Sequence, residues 1–456
     1  MLLKKILFLS ILIPLYLSAG VKNLTLSQAF KMLEKHNLEL KISRFATQMK
    51  EYEAKAAKGH HYGKLDASLT AMRSNDAGNV FGFKLQSREA TFGDFGAQEF
   101  FDNFNAGRDP FSPPPSNLNY PDTRNHYQTK ISYMLPVYTG GKLTEYGRIT
   151  SAMHRMSQFN TQKLENEKIF QTKKAFYDIS LVSNYISNLS KIIRNIKRLE
   201  SIVHTMKKEG YAQDIDVLEV QARKVEAQSM YNQAKLNRDL AYQFLSFLLN
   251  TEISSIKRVN DMAPMPHIDK DEVEGNNIDI QKALLGLQIT KMALNVEKAN
   301  FLPTLGAFAE YGSADNQFWN EFREKDSYTF GIQLKWNIFN GGIDVANLER
   351  AKVNYMMVEN QVALAKSGIG LKVKKLQTEI LSANADVTSF KKQLIFSQKV
   401  YKNYRARYKE GIISISDVLI KQSKELEILL KLLTVKNKRN TKIFELNSIL
   451  NAGGKV

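Results

Sequence analysis

Seven histidines, 46 carboxylates and no cysteine are the groups from which this 456-residue chain could build a reactive site. Without cysteine there is no disulfide, no thiolate metal site, no thiol nucleophile and no lipidated N-terminal cysteine. The close histidine pair His60-His61 is adjacent, not spaced i,i+4 as two ligands on one helix face must be, and no HExxH follows it. GxSxG, the P-loop and GxGxxG are also missing. The chain is therefore read as a non-enzyme with no cofactor or metal, and the histidine pair as marking a helix-to-strand junction.

The formal net charge of +18 raises a nucleic-acid or anionic-membrane partner. The lysines, however, are dispersed among glutamates, with no basic block and no aromatic-basic interleaving, so they read as a solvated helix surface and no nucleic acid is expected. Lys4 and Lys5 precede an apolar run from Ile6 to Leu17, then Ser18, Ala19 and Gly20. This is the layout of a signal peptide over residues 1–19, cleaved after Ala19 or Gly20. About 12 apolar residues are too few to span a bilayer, which needs about 20. No later apolar run reaches that length, so a membrane crossing by the exported chain requires a β-barrel.

The elements that must position any site are written twice. Asn37-Leu38-Glu39-Leu40 recurs as Asn277-Ile278-Asp279-Ile280, and Gln48, Lys58 and Leu65 meet Gln288, Lys298 and Leu305, all at an offset of 240. Farther on, Gly140-Gly141 matches Gly341-Gly342, Lys208-Glu209-Gly210 matches Lys409-Glu410-Gly411, and Asp216-Val217-Leu218 matches Asp417-Val418-Leu419, at an offset of 201. The first copy thus carries 39 extra residues between Leu65 and Gly140. The stretch 75–124, rich in Gly, Asn, Phe and Pro and without sustained period, accounts for them as a long loop facing outside the cell. Repeat 1 is assigned to 20–260 and repeat 2 to 261–456.

Each copy predicts two strands, 64–74 and 125–138, then 304–313 and 328–339. In the last, Tyr328, Phe330, Ile332, Leu334, Trp336 and Ile338 alternate with Thr329, Gly331, Gln333, Lys335 and Asn337, giving one greasy face and one wet face. Proline-free segments at 142–208 and 343–409 predict long helices, with return helices at 213–250 and 414–450 and shorter ones at 38–62 and 278–302. A coiled-coil seam at Ile179, Val182, Ile186, Leu189, Ile193 and Ile196 becomes Ile380, Ala383, Val387, Phe390, Leu394 and Ser397 in the second copy. A 67-residue helix is on the order of 100 Å long, and each return helix plus one shorter helix nearly equals it. Pro303 ends a helix before a strand, and Gly140, Gly141, Gly341 and Gly342 allow the left-handed backbone needed between strand and helix. Four strands cannot close a barrel, so two, three or four chains must pool them.

This duplicated order, with the motifs "YTGGKL" and "FNGGID" and the turns "KKEGYAQDIDVLEV" and "YKEGIISISDVLIK", resembles the TolC-like outer-membrane efflux protein family across essentially the whole mature chain. The resemblance implies an α+β membrane protein: a homotrimer with a 12-stranded β-barrel in outer-membrane lipid, continued by an α-helical coiled-coil barrel through the periplasm. It implies the channel of a tripartite efflux or type I secretion system, docking to a periplasmic adaptor (membrane fusion) protein and an inner-membrane pump of RND, ABC or MFS type. It places adaptor-docking turns at Gly210, Tyr211, Gly411 and Ile412, and a periplasmic entrance at Asp216, Glu219, Tyr408 and Asp417. Asp417 is the better candidate for a pore carboxylate; three residues on, where relatives can carry a second acid, this chain has Ile420 although the first copy has Glu219, so the resemblance does not extend to a second acidic ring. The bland alternative is that Asp216 and Asp417 offset their helix dipoles. A Tyr408–Asp216 hydrogen bond is expected to hold the entrance shut. The rival whole-chain reading is a periplasmic coiled-coil adaptor, which would need neither four membrane-type strands nor a second hairpin.

Overall fold

A computed structural model describes residues 20–451, so the signal peptide expected at 1–19 lies outside the described residues. In chain order the elements are α1 (Leu26–His36), α2 (Leu38–Gly59), β1 (Lys64–Ser74), α3 (Ala77–Gln86), α4 (Ala97–Asn105), α5 (Ser116–Asn119), β2 (Arg124–Tyr138) and α6 (Lys142–Lys208). There follow α7 (Asp214–Leu249), α8 (Lys270–Asn276), α9 (Ile278–Ala299), β3 (Thr304–Asp315), β4 (Asp326–Lys335), α10 (Ile343–Lys409) and α11 (Ile415–Ile449). They fall into two units. One holds residues 20–48, 155–285 and 360–451, and the other 49–154 and 286–359.

The first unit is helical, and its order begins with small polar devices. Thr25 and Gln28 form a capping box at α1: Thr25 Oγ1 accepts from the Gln28 N–H (3.3 Å) and Gln28 Oε1 from the Thr25 N–H (3.0 Å). Buried Asn37 accepts the Leu40 N–H at 2.8 Å while its amide donates to the Leu248 carbonyl at 2.8 Å. Asn277 repeats both bonds, from the Ile280 N–H at 3.1 Å and to the Ile449 carbonyl at 2.9 Å. One side chain thus starts a helix and satisfies a carbonyl at the end of another, groups that would otherwise lack partners. Of the seam, Ile179, Leu189, Ile193 and Ile196 are buried in the first copy and Ile380, Ala383, Val387 and Ser397 in the second; the intervening positions are half-buried.

The second unit is a four-stranded antiparallel sheet of order β1-β2-β3-β4. The hairpin registers repeat: Lys64 faces Met134 and Thr304 faces Lys335. β4 ends at Lys335, short of the expected 339, and α9 ends at Ala299, leaving Pro303 just before β3. In the first copy the same place is held by the 3-10 turn His60–Tyr62, with both histidines exposed, and by Gly63 at φ +72°.

The stretch 75–124, expected to be irregular, contains α3, α4 and α5. Short helices there depend on local caps, such as Asp76 Oδ1 accepting the Asn79 N–H at 2.9 Å, and so leave no sustained period in the sequence. A charge cluster ties the stretch down. Lys325, nearly enclosed, reaches Glu89 at 2.7 Å, Asp315 at 3.0 Å and Glu321 at 3.1 Å, and Glu89 also pairs with Arg124.

Candidate functional site: a two-faced sheet and paired helix turns

In the sheet, β-periodicity has separated two surfaces. Leu65, Leu69, Ile131, Tyr311, Tyr328, Phe330, Ile332 and Leu334 share one face, and all are exposed. Burying one such side chain is worth about 1.5–3 kcal/mol, so a contiguous apolar face of this size needs an apolar environment. On the opposite face lies a recess of about 940 Å³, lined from the strands by Asp66, Ser132, Glu310, Gln333 and Lys335 together with the apolar Met134 and Phe308. On the wet face Lys130 Nζ reaches Glu310 at 3.1 Å. One side thus suits lipid and the other suits water.

The strand-to-helix junctions require glycine: Gly140, Gly141, Gly341 and Gly342 have φ of +63°, +86°, +69° and +83°. They are not equivalent in their surroundings. A Cβ on Gly140 would stand 2.9 Å from the Ala299 carbonyl oxygen, whereas one on Gly341 meets nothing within 4 Å.

The helical unit ends α6 and α10 with the same turn. The Gly210 N–H donates to the Lys207 carbonyl (3.0 Å) and the Tyr211 N–H to that of Met206 (2.7 Å); Gly411 and Ile412 repeat this with Tyr408 and Arg407 (3.0 Å each). This is the Schellman closure, with a left-handed glycine just beyond the helix. Tyr211 and Ile412 are left exposed, Tyr211 by 81%.

Beside these turns, the four acidic and phenolic residues named from the sequence have specific roles in the chain itself. Asp216 Oδ2 accepts the Gln213 N–H at 2.7 Å, capping α7. The expected Tyr408–Asp216 hydrogen bond is corrected: none forms among the described residues, where the Asp216 carboxylate accepts from its own helix cap. Tyr408 is nevertheless buried, packed among Val203, Val217 and Val418, and its phenol is pushed up to about 12 by burial and then by the nearby Asp216 charge. Asp417 is exposed; Ser414 Oγ donates to its Oδ2 at 2.7 Å and accepts its N–H at 3.2 Å, so it too supports a helix start. Glu219 Oε2 accepts the Ser416 hydroxyl at 2.6 Å, a pairing of the two copies that sequence reasoning missed. Ile420 is exposed one turn beyond Asp417.

No helix among the described residues is long and apolar enough to cross a membrane, and no group of three or more potential ligands there could hold a metal ion.

Residues 271–452 match the family model described as outer membrane efflux protein. Toxin and drug export protein A of Aggregatibacter actinomycetemcomitans is 21% identical over 323 residues, 67% of this chain and 68% of that protein. Among solved structures the chain shares its fold with CusC (TM-score 0.78, 14% identity, 96% of this chain and 95% of that one). The same holds for the outer-membrane channel OprN (TM-score 0.79, 14% identity, 94% and 90%). The CmeC outer membrane channel of Campylobacter jejuni gives a TM-score of 0.73 at 15% identity, covering 94% and 86%. The family match is confined to residues 271–452, whereas the shared fold spans more than nine-tenths of the chain.

Proposed function

We propose that this chain is a TolC-like outer membrane efflux protein, a reading its family match and fold support, and a subunit of a homotrimeric export duct that passes substrates from an inner-membrane pump and periplasmic adaptor out of the cell. The observation that carries the reading is the two-faced sheet: an exposed apolar face, a wet face with a recess, and two strand edges without partners. Unpaired backbone groups in lipid cost several kcal/mol each, so such a sheet spans a membrane only in a closed barrel. Three copies supply 12 strands, the wet faces line the lumen, and the apolar faces meet outer-membrane lipid.

The exposed turns at Gly210–Tyr211 and Gly411–Ile412 are the docking sites for the adaptor's helical hairpin, and Asp417 is the carboxylate offered to the periplasmic entrance. A pump of RND, ABC or MFS type completes the assembly. Translocation through the duct is passive, since the residues offer charge and shape rather than chemistry. The exposed apolar sheet argues against a periplasmic adaptor, which has no use for it.

Membrane fractionation tests the proposal. A heat-modifiable oligomer in the outer membrane that conducts ions in planar bilayers is expected, and a soluble periplasmic product would sink it.

A further inference from the structure

Among the described residues the sheet has two unpaired edges, β1 and β4. Its hairpins are one design used twice: Lys64 opposite Met134 becomes Thr304 opposite Lys335 when the repeat offsets of 240 and 201 are added. The central β2·β3 pairing, in which Ile131 faces Tyr311, has no second counterpart among the described residues. Carried along by the same offsets, it places β4 against β1. Those strands are separated by β2 and β3, roughly 14 Å at strand spacing, and cannot meet in one sheet of one copy.

We propose that β4 of one copy pairs antiparallel with β1 of the next in a defined register, Ile332 opposite Ala71, with Gln333 opposite Thr70, Leu334 opposite Leu69 and Trp336 opposite Ala67. The inference rests on the reading that copies of this chain close a barrel, and adds which residues meet at the seam.

Two observations support this register independently. The first is parity. In this register the greasy residues of β4 oppose Ala67, Leu69 and Ala71, while Gln333 and Lys335 oppose Thr70 and Ser68. A slip of one residue would set each greasy face against a wet one. The second is where β4 stops. β1 pairs with β2 only as far as Met134, and Leu135, Pro136 and Tyr138 remain in the ladder because β3 supplies Ala307, Gly306 and Leu305. Their counterparts Trp336, Asn337 and Phe339 have no such strand among the described residues, and β4 ends at Lys335. The neighbouring copy's β1 supplies it through Ala67, Asp66 and Leu65, extending β4 to the residues whose alternation marks them as strand.

The cysteine-free chain allows a direct test. Full-length double variants Gln333→Cys/Thr70→Cys and Leu334→Cys/Leu69→Cys are oxidised in isolated outer membranes and separated without reductant. Adjacent pairs are chosen because one of the two must be the close, non-hydrogen-bonded kind. At least one is expected to give a reducible covalent ladder ending in the closed oligomer, with none from the single variants. A two-residue slip moves Cα atoms roughly 7 Å along the strand, beyond disulfide reach, so Gln333→Cys with Ser68→Cys or Met72→Cys is expected to lose the ladder. The inference is overturned if a slipped pair links in place of the designed ones, or if no pair links in membranes where native electrophoresis shows the variant assembled. A wild-type chain found monomeric or soluble overturns instead the channel reading beneath it.

Discussion

Glu219 on α7 and Ser416 in the first turn of α11 meet one helical turn out of step with the repeat, and the 2.6 Å bond between them joins the two helices across 197 residues of chain. A hydrogen bond to a charged group contributes about 1.5–3 kcal/mol when its loss leaves that group half-buried. Ser416→Ala is therefore expected to lower the melting temperature. A double-mutant cycle with Glu219→Gln should return a coupling energy of about 0.5 kcal/mol or more; strict additivity would show that the pair does not act as one. If the pair also helps close the entrance, Ser416→Ala raises single-channel conductance.

The Tyr408 phenol, pushed up to about 12 from the ordinary value near 10, gives an alkaline signature. Its folded-state value is raised, so the associated stability is intact below about pH 10 and is lost as pH climbs through about 12. Tyr408→Phe keeps the ring in its pocket and is expected to flatten that decline. Because Asp216 is held by the Gln213 N–H rather than by Tyr408, the same variant should leave conductance at the wild-type closed level. Increased conductance would restore a direct role for the hydroxyl.

Gly140 and Gly341 separate backbone strain from crowding. Alanine at either position bears the left-handed penalty of about 1–2 kcal/mol, but at Gly140 the new Cβ also meets the Ala299 carbonyl at 2.9 Å and Leu302 at 3.0 Å. Denaturant melts of the dissociated chain should rank Gly140→Ala below Gly341→Ala, and equal loss would refute the crowding argument.

Lys325 is the hub of the cluster that joins the 75–124 stretch to the β3–β4 connection through Glu89 and Asp315. Removing one partner of a buried ion pair costs about 3–5 kcal/mol. Lys325→Met should expose the stretch to protease added to whole cells, and Lys325→Met/Asp315→Asn should recover part of the protection by removing the stranded charge. Unchanged cleavage in the single variant would mean that the short helices hold themselves.

Asp76 and Thr91 show why part of the fold escaped sequence reading. The helices of the 75–124 stretch are too short for periodicity to announce, and they depend on single caps and on Lys325, more than 200 residues away from either. Asn37 and Asn277 were visible as a repeat, but their bonds to Leu248 and Ile449 become apparent only when the helix ends are brought together.

The sequence by itself determined the duplication, the two alternating strand faces, the glycines at both kinds of joint and the unbroken run of α6 and α10, because periodicity and glycine demand are local properties of a chain. Tertiary structure decided which strands are neighbours, which edges remain open, that Asp216 serves its own helix rather than Tyr408, and that Gly140 is crowded while Gly341 is not. Each of these depends on distances between residues far apart along the chain, and local spacing does not encode them.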